Sequence, residues 1–339
     1  MMLKISFSMH VHVYRKGTPE VKDEGENEEI PVQSTSKCFF VYAEEEIAQA
    51  RERHQHSTAD NYTTALRSFA KYYDGKQLPL SDIDSHLIEE YGRWLQGQVN
   101  KNTLSCYMRS LRSIYNKAVE CNLVVQSNPF RNVFTGIART RKRSIGIADI
   151  CKLREVDLEP GSFMQLVRDI FLFCFYACGM PFIDVAFFKK TQIKDGSFSY
   201  YRRKTNQFVQ IKIEPCIAEI IERYKSDTRD YVFPFLTSSD VDSAYKEYQR
   251  KFSSFNKTLN ELGEKAGVGM RLSSYVARHT WATLAFHSMV DMPVISQALG
   301  HTNMKTTQIY VKDIGNDKQN AANRKILKGV LESAPLYKS

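Results

Sequence analysis

Tyr275-Val276-Ala277-Arg278-His279-Thr280-Trp281-Ala282-Thr283 is followed by Leu299-Gly300-His301 and then by Thr306-Thr307-Gln308-Ile309-Tyr310. This run places a guanidinium, two imidazoles and a phenol within one short stretch of expected helices. A phenol can attack phosphorus and hold it covalently. A guanidinium can clamp two phosphate oxygens at once, and an imidazole can hydrogen-bond a third. Tyr310 is one of 18 tyrosines, so order and spacing single it out, and it stands nine residues after His301.

Working outward, 339 residues and 39.1 kDa are enough for two cores plus an extension. The formal charge of +9 favours a polyanionic partner. Glu20, Asp23, Glu24, Glu26, Glu28, Glu29 and Glu44 to Glu46 crowd the N-terminus, so the remainder is more basic than the total suggests. Seven scattered cysteines read as buried thiols in a reducing cytoplasm rather than as a disulfide framework. No CxxC pair and no HExxH occurs, and no metal or cofactor is expected. The longest apolar run, Ile170 to Met180, is too short to span a bilayer, so a soluble intracellular protein without a membrane partner is expected.

Residues 1–54 are expected to form an extension of short strands and an acidic loop. Leu3, Ile5, Phe7, Met9, Val11 and Val13 alternate with polar residues, and a second apolar run lies at Cys38 to Tyr42. Residues 55–138 read as a helical bundle, with stripes Tyr62, Leu66, Phe69 and Tyr73, then Leu87, Tyr91 and Leu95, then Leu104, Met108, Leu111 and Ile114. The third helix carries Lys101, Asn102, Arg109, Arg112 and Lys117 on its polar face. Residues 139–145 are a basic linker containing Arg139, Arg141, Lys142 and Arg143, suited to crossing a phosphate backbone. Residues 146–339 begin helical, include a β-hairpin from Phe198 to Ile213 with a polar turn at Lys204-Thr205-Asn206, and close on an amphipathic helix from Asp317 to Glu332.

These motifs resemble the tyrosine recombinase (integrase) family, and the likeness covers most of the chain. The family pattern is a His-x-x-Arg-His box, a Leu-Gly-His box and a nucleophilic tyrosine nine residues later. The branch resembled is that of mobile-element integrases and invertases of gut bacteria. The resemblance implies a mainly α fold with a small β-hairpin or sheet: a helical core-binding domain and a mixed α/β catalytic domain forming a C-shaped DNA clamp. It implies Tyr310 as nucleophile forming a 3′-phosphotyrosyl link, Arg278 and His301 as phosphate ligands and Lys204 as general acid. His279 is implied as a supporting group, Arg202 and Arg203 as backbone contacts, and 101–112 and the linker as DNA-binding. It also implies a homotetramer on two specific double-stranded DNA sites, monomeric or weakly associated without DNA, in the cytoplasm on the nucleoid. The last helix would dock on a neighbouring protomer.

Two positions depart from the pattern. Tyr275 stands where the first histidine belongs, and its phenol is a poor base at neutral pH. Pro181, in Gly179-Met180-Pro181-Phe182-Ile183-Asp184, stands where the family carries its first arginine. Arg168, with Lys189 behind it, is a candidate substitute; pairing of Arg168 with a nearby carboxylate is the alternative. Two other functions remain open at this point: type IB topoisomerase-like relaxation, and a sequence-specific DNA-binding protein that has lost catalysis.

Overall fold

The computed structural model describes residues 37–74, 77–138, 143–226, 228–311, 323–324 and 327. The expected strand at 3–13 and most of the closing helix at 317–332 lie outside them.

The first group of helices is α1 (Phe39–Glu52), α2 (His56–Tyr73), α3 (Ser85–Leu95) and α4 (Lys101–Glu120). Their stripes close on one core that includes Phe39, Tyr62, Phe69, Tyr91, Met108, Leu111 and Ile114. Asp84 caps α3 by accepting from Leu87 N, and Asn100 caps α4 by accepting from Thr103 N. One expectation is corrected. Residues 39–52, read as part of a strand-and-loop extension, form α1 and bury Phe39, Tyr42, Ala43, Ile47 and Ala50. Those positions recur at helical spacing, and one glutamate of the acidic run, Glu46, is buried against Lys117 at 2.6 Å.

The second group holds α5 (Ile147–Glu155), α6 (Phe163–Tyr176), α7 (Phe182–Ala186), α8 (Pro215–Arg223), α9 (Val241–Lys265), α10 (Ser274–His287), α11 (Met292–Ala298) and α12 (Met304–Val311). One antiparallel sheet runs β1 (Ile193–Lys194), β2 (Ser197–Tyr201), β3 (Phe208–Lys212). The hairpin register pairs Tyr201 with Phe208 and Ser197 with Lys212. Helix α6 is the centre of this core, with Val167, Ile170, Phe171 and Phe173 essentially inaccessible. It packs against α9 and α10.

The two groups touch where the α1–α2 corner meets α9. His56 stacks on Tyr245 at 4.3 Å, and Asp60 accepts from Tyr245 Oη at 3.0 Å and Gln249 Nε2 at 2.6 Å. Among the described residues no helix is long and apolar enough to cross a membrane.

Candidate active site

The hairpin turn and the Leu299-Gly300-His301 turn are built against each other. The backbone N–H groups of Thr205 and Asn206 both return to Arg202 O, which closes the turn over Lys204. Arg202 Nη1 and Thr205 Oγ1 then donate to the same carbonyl, Gly300 O, at 2.9 and 3.1 Å. Gly300 has φ +59°, and a Cβ there would lie 3.1 Å from Val209 Cγ2 and 3.2 Å from Arg202 Cδ, so glycine takes this docking without strain.

Arg278 is 1% exposed. Its Nη1 donates to Gly179 O at 2.8 Å, and its Nη2 to Leu299 O at 2.5 Å and to His301 Nε2 at 2.9 Å. Gly179, with φ +74°, leaves room for it; a Cβ there would lie 3.2 Å from Arg278 Cα. Arg278 Nε is buried without a hydrogen-bond partner.

This geometry fixes the state of His301. A guanidinium has no lone pair to accept with, so His301 Nε2 must accept from Arg278, and Nδ1 carries the ring proton. That proton is donated to Thr307 Oγ1 at 2.8 Å. Burial, then the charges of Arg278, Arg202 and Lys204, push the imidazole pKa down to about 3. The ring is therefore neutral across the physiological range. Thr307, fully buried, ties α12 to the site three residues before Tyr310.

Asp184 is a buried carboxylate beside this cluster. Its Oδ1 accepts from Arg203 N at 3.0 Å, while Oδ2 is buried without a hydrogen bond. Burial lifts its pKa to about 6, against the opposing pull of the Arg203 N–H and the Arg202, Arg203 and Arg278 charges. Pro181 sits just before α7 with φ −62°, as its N-cap.

The remaining expected residues divide. Tyr275 is 45% exposed on the face of α10, with its ring against His279 edge-on at 4.6 Å. Lys204 is exposed in the hairpin turn. Arg203 lays its guanidinium on the Phe187 ring at 3.8 Å. Arg168 is held elsewhere: it donates to Asp169 Oδ1 at 2.9 Å and to Val156 O at 3.0 Å, in a network with Arg223 and Tyr224. Lys189 is exposed, its ammonium over the Tyr231 ring. On α4, Lys101 and Arg109 are exposed. Asn102 instead exchanges two hydrogen bonds with the backbone of Ala138, and Arg112 bonds Thr135 Oγ1 at 3.2 Å. Arg143 is exposed; Arg139, Arg141 and Lys142 lie outside the described residues.

The burial of Arg202 and the place of Asp184 were missed from sequence. The signal for Arg202 was present. Phe198 and Tyr200 face the core from β2, and Arg202 is the next residue in that alternation.

Two family models match this chain, the phage integrase SAM-like domain over residues 38–135 and the phage integrase family over residues 165–315, together most of its length. The chain belongs to the tyrosine recombinase family. Curated relatives include tyrosine recombinase XerD of Pseudomonas aeruginosa, 22% identical over 75% of this chain and 86% of that protein. Tyrosine recombinase XerC of Leptospira interrogans is 23% identical over 86% of this chain and 91% of that protein. Among solved structures, the Tn1549 transposon integrase bound to a circular-intermediate DNA aligns with TM-score 0.60 and 14% identity, over 86% of this chain and all of that one. A lambda integrase dimer bound to a core site aligns with TM-score 0.58 and 13% identity, over 82% of this chain and 97% of that one. The fold is that of these integrases, mainly α with a small antiparallel sheet. The tyrosine recombinase reaction class is site-specific recombination by DNA strand cleavage and rejoining, which favours neither the topoisomerase nor the non-catalytic alternative.

Proposed function

We propose that Arg278 and Lys204, with His301 orienting Arg278, receive the scissile phosphate of double-stranded DNA, and that Tyr310 attacks it. The observation that carries this reading is the fully buried Arg278, held on two backbone carbonyls and on a neutral His301 that is itself bonded to the helix bearing Tyr310. A cation fixed in this way needs little reorganisation when charge develops on the non-bridging oxygens. The Tyr310 oxygen bonds to phosphorus as the bond to the 5′ oxygen breaks. The phenol proton passes to water, and the Lys204 ammonium protonates the departing 5′ oxygen. A 3′-phosphotyrosyl ester keeps the phosphodiester energy, so a 5′ hydroxyl from a second strand can reverse the step without ATP. Tyr275 and His279, on one face of α10, support the site at its exposed edge.

Lys101, Arg109 and Arg143, with Arg139, Arg141 and Lys142 of the same linker, are proposed to track the DNA backbone, and residues 139–145 to divide the two units that embrace it. Asn102 and Arg112 anchor the segment leading to that linker. The solved relatives include a lambda integrase tetramer bound to a Holliday junction. By that likeness four copies of this chain assemble on two DNA sites, in the cytoplasm, as a mobile-element integrase or invertase.

The test is covalent capture. Wild-type and Tyr310→Phe proteins are expressed in the source cell, non-covalent complexes are stripped with detergent, and attached DNA is sequenced. DNA on the wild type alone, at a few sites and undiminished by a chelator, is expected. Scattered sites would point to relaxation of supercoils instead, and no adduct on either protein would overturn the reading.

A further inference from the structure

The site lacks the arginine that the family carries where Pro181 stands, yet its geometry is not short of guanidinium. Arg202 is 6% exposed, an unusual state for an arginine in a hairpin turn. Its Nη1 is spent on Gly300 O, and its Nε is buried with no hydrogen-bond partner. Arg278 is in the same condition: its Nη atoms are held by the protein, and its Nε is buried and unbonded. The two side chains hold consecutive carbonyls, Leu299 O and Gly300 O, and their charges act on each other. Two guanidiniums that share a buried site repel each other, and each leaves a donor unsatisfied. A phosphate beside the pair offsets that repulsion.

We infer that Arg202 is the second guanidinium of the phosphate site, supplying from the β2–β3 turn the charge that Pro181 cannot. The alternatives are occupied elsewhere. Arg168 is committed to Asp169 and to Val156 O, Arg203 lies on Phe187, and Lys189 is exposed over Tyr231. The same turn carries Lys204, so one loop delivers both a phosphate clamp and the proton for the leaving oxygen. The inference rests on the reading of Arg278 and Tyr310 proposed above.

The test uses the full chain and the DNA fragment that the wild type captures covalently. The fragment is synthesised with an ordinary phosphate or with a methylphosphonate at the attacked position. A methylphosphonate has lost the charge that a guanidinium must neutralise. Arg202→Gln keeps a donor for Gly300 O but no charge. It is expected to cleave the phosphate on the order of 10²–10³-fold more slowly than wild type, and to recover most of that loss on the methylphosphonate. Arg202→Lys should fall between the two. A glutamine variant that cleaves ordinary DNA at the wild-type rate overturns the assignment, and so does one equally impaired on both substrates, since a loosened turn would not be rescued by removing charge. If the glutamine variant loses the wild-type circular dichroism, Arg202→Lys decides by the same comparison. Capture failing on the wild type itself overturns the phosphotyrosyl reading and this assignment with it, whereas capture by wild type with no dependence on Arg202 overturns this assignment alone.

Discussion

At the scale of single residues, His301 and Asp184 titrate in opposite senses. The folded protein holds His301 at about 3 against an ordinary 6.5, so between those values the unfolded chain binds the extra proton. That contribution makes stability fall as pH drops from 6.5. Asp184 is held at about 6 against an ordinary 3.8, so over that interval the folded protein binds the extra proton, and stability falls as pH rises. His301→Gln is therefore expected to gain Tm on wild type as pH is lowered from 6.5 to 4, and Asp184→Asn to gain on wild type as pH is raised from 4 to 6. Parallel Tm profiles for all three proteins would show that neither group is perturbed. Much of this site was legible in the sequence. Arg278, His301 and Tyr310 stand in a spacing that few other chemistries use, and the structure brings Arg278, His301 and Lys204 to one place. The protonation state of His301 was not legible, because it is set by a guanidinium 23 residues away and by a buried threonine.

At the scale of elements, the polar face of α4 divides between exposed cations and side chains that hold the chain leaving the bundle. Its polar face looks like a uniform basic stripe, but Asn102, Ser105 and Arg112 bond Ala138, Gly136 and Thr135 and hold the departing chain against the helix. Replacing Asn102 by alanine leaves the Ala138 N–H and C=O without their partner. It should cost about 1–3 kcal/mol in urea unfolding. Unchanged stability would mean that the segment is held by its other contacts. Helices α2 to α4 and the β2–β3 hairpin follow from periodicity. Helix α1 was hidden because Glu44-Glu45-Glu46 interrupts the apolar pattern, and the partner that accompanies the burial of Glu46, Lys117, lies on a different helix. Arg202 was hidden for the converse reason: Arg202-Arg203-Lys204 reads as a solvated charge run when taken without the strand that precedes it.

At the scale of the whole molecule, two cores meet through a small polar contact, with Asp60 accepting from both Tyr245 and Gln249. Partly exposed contacts of this kind contribute little to stability individually. Their consequence is for shape, since a clamp on DNA must let its halves move apart. Asp60→Ala is expected to raise the radius of gyration of the free protein in small-angle X-ray scattering while leaving its thermal unfolding nearly unchanged; an unaltered radius would show that other contacts set the closure. The core of the first helical group was legible from its stripes, but the α9 contact was not, because nothing local marks Tyr245 as the partner of a helix 185 residues earlier. The central claim is the covalent bond at Tyr310, and mass spectrometry of the DNA-captured protein tests it most directly. After nuclease and trypsin digestion, the account predicts a nucleotide joined through its 3′ phosphate to Tyr310 in the peptide from Thr306 to Lys312, with a free 5′ hydroxyl on the released DNA end. A nucleotide on any other residue, or a link through a 5′ phosphate, would contradict it.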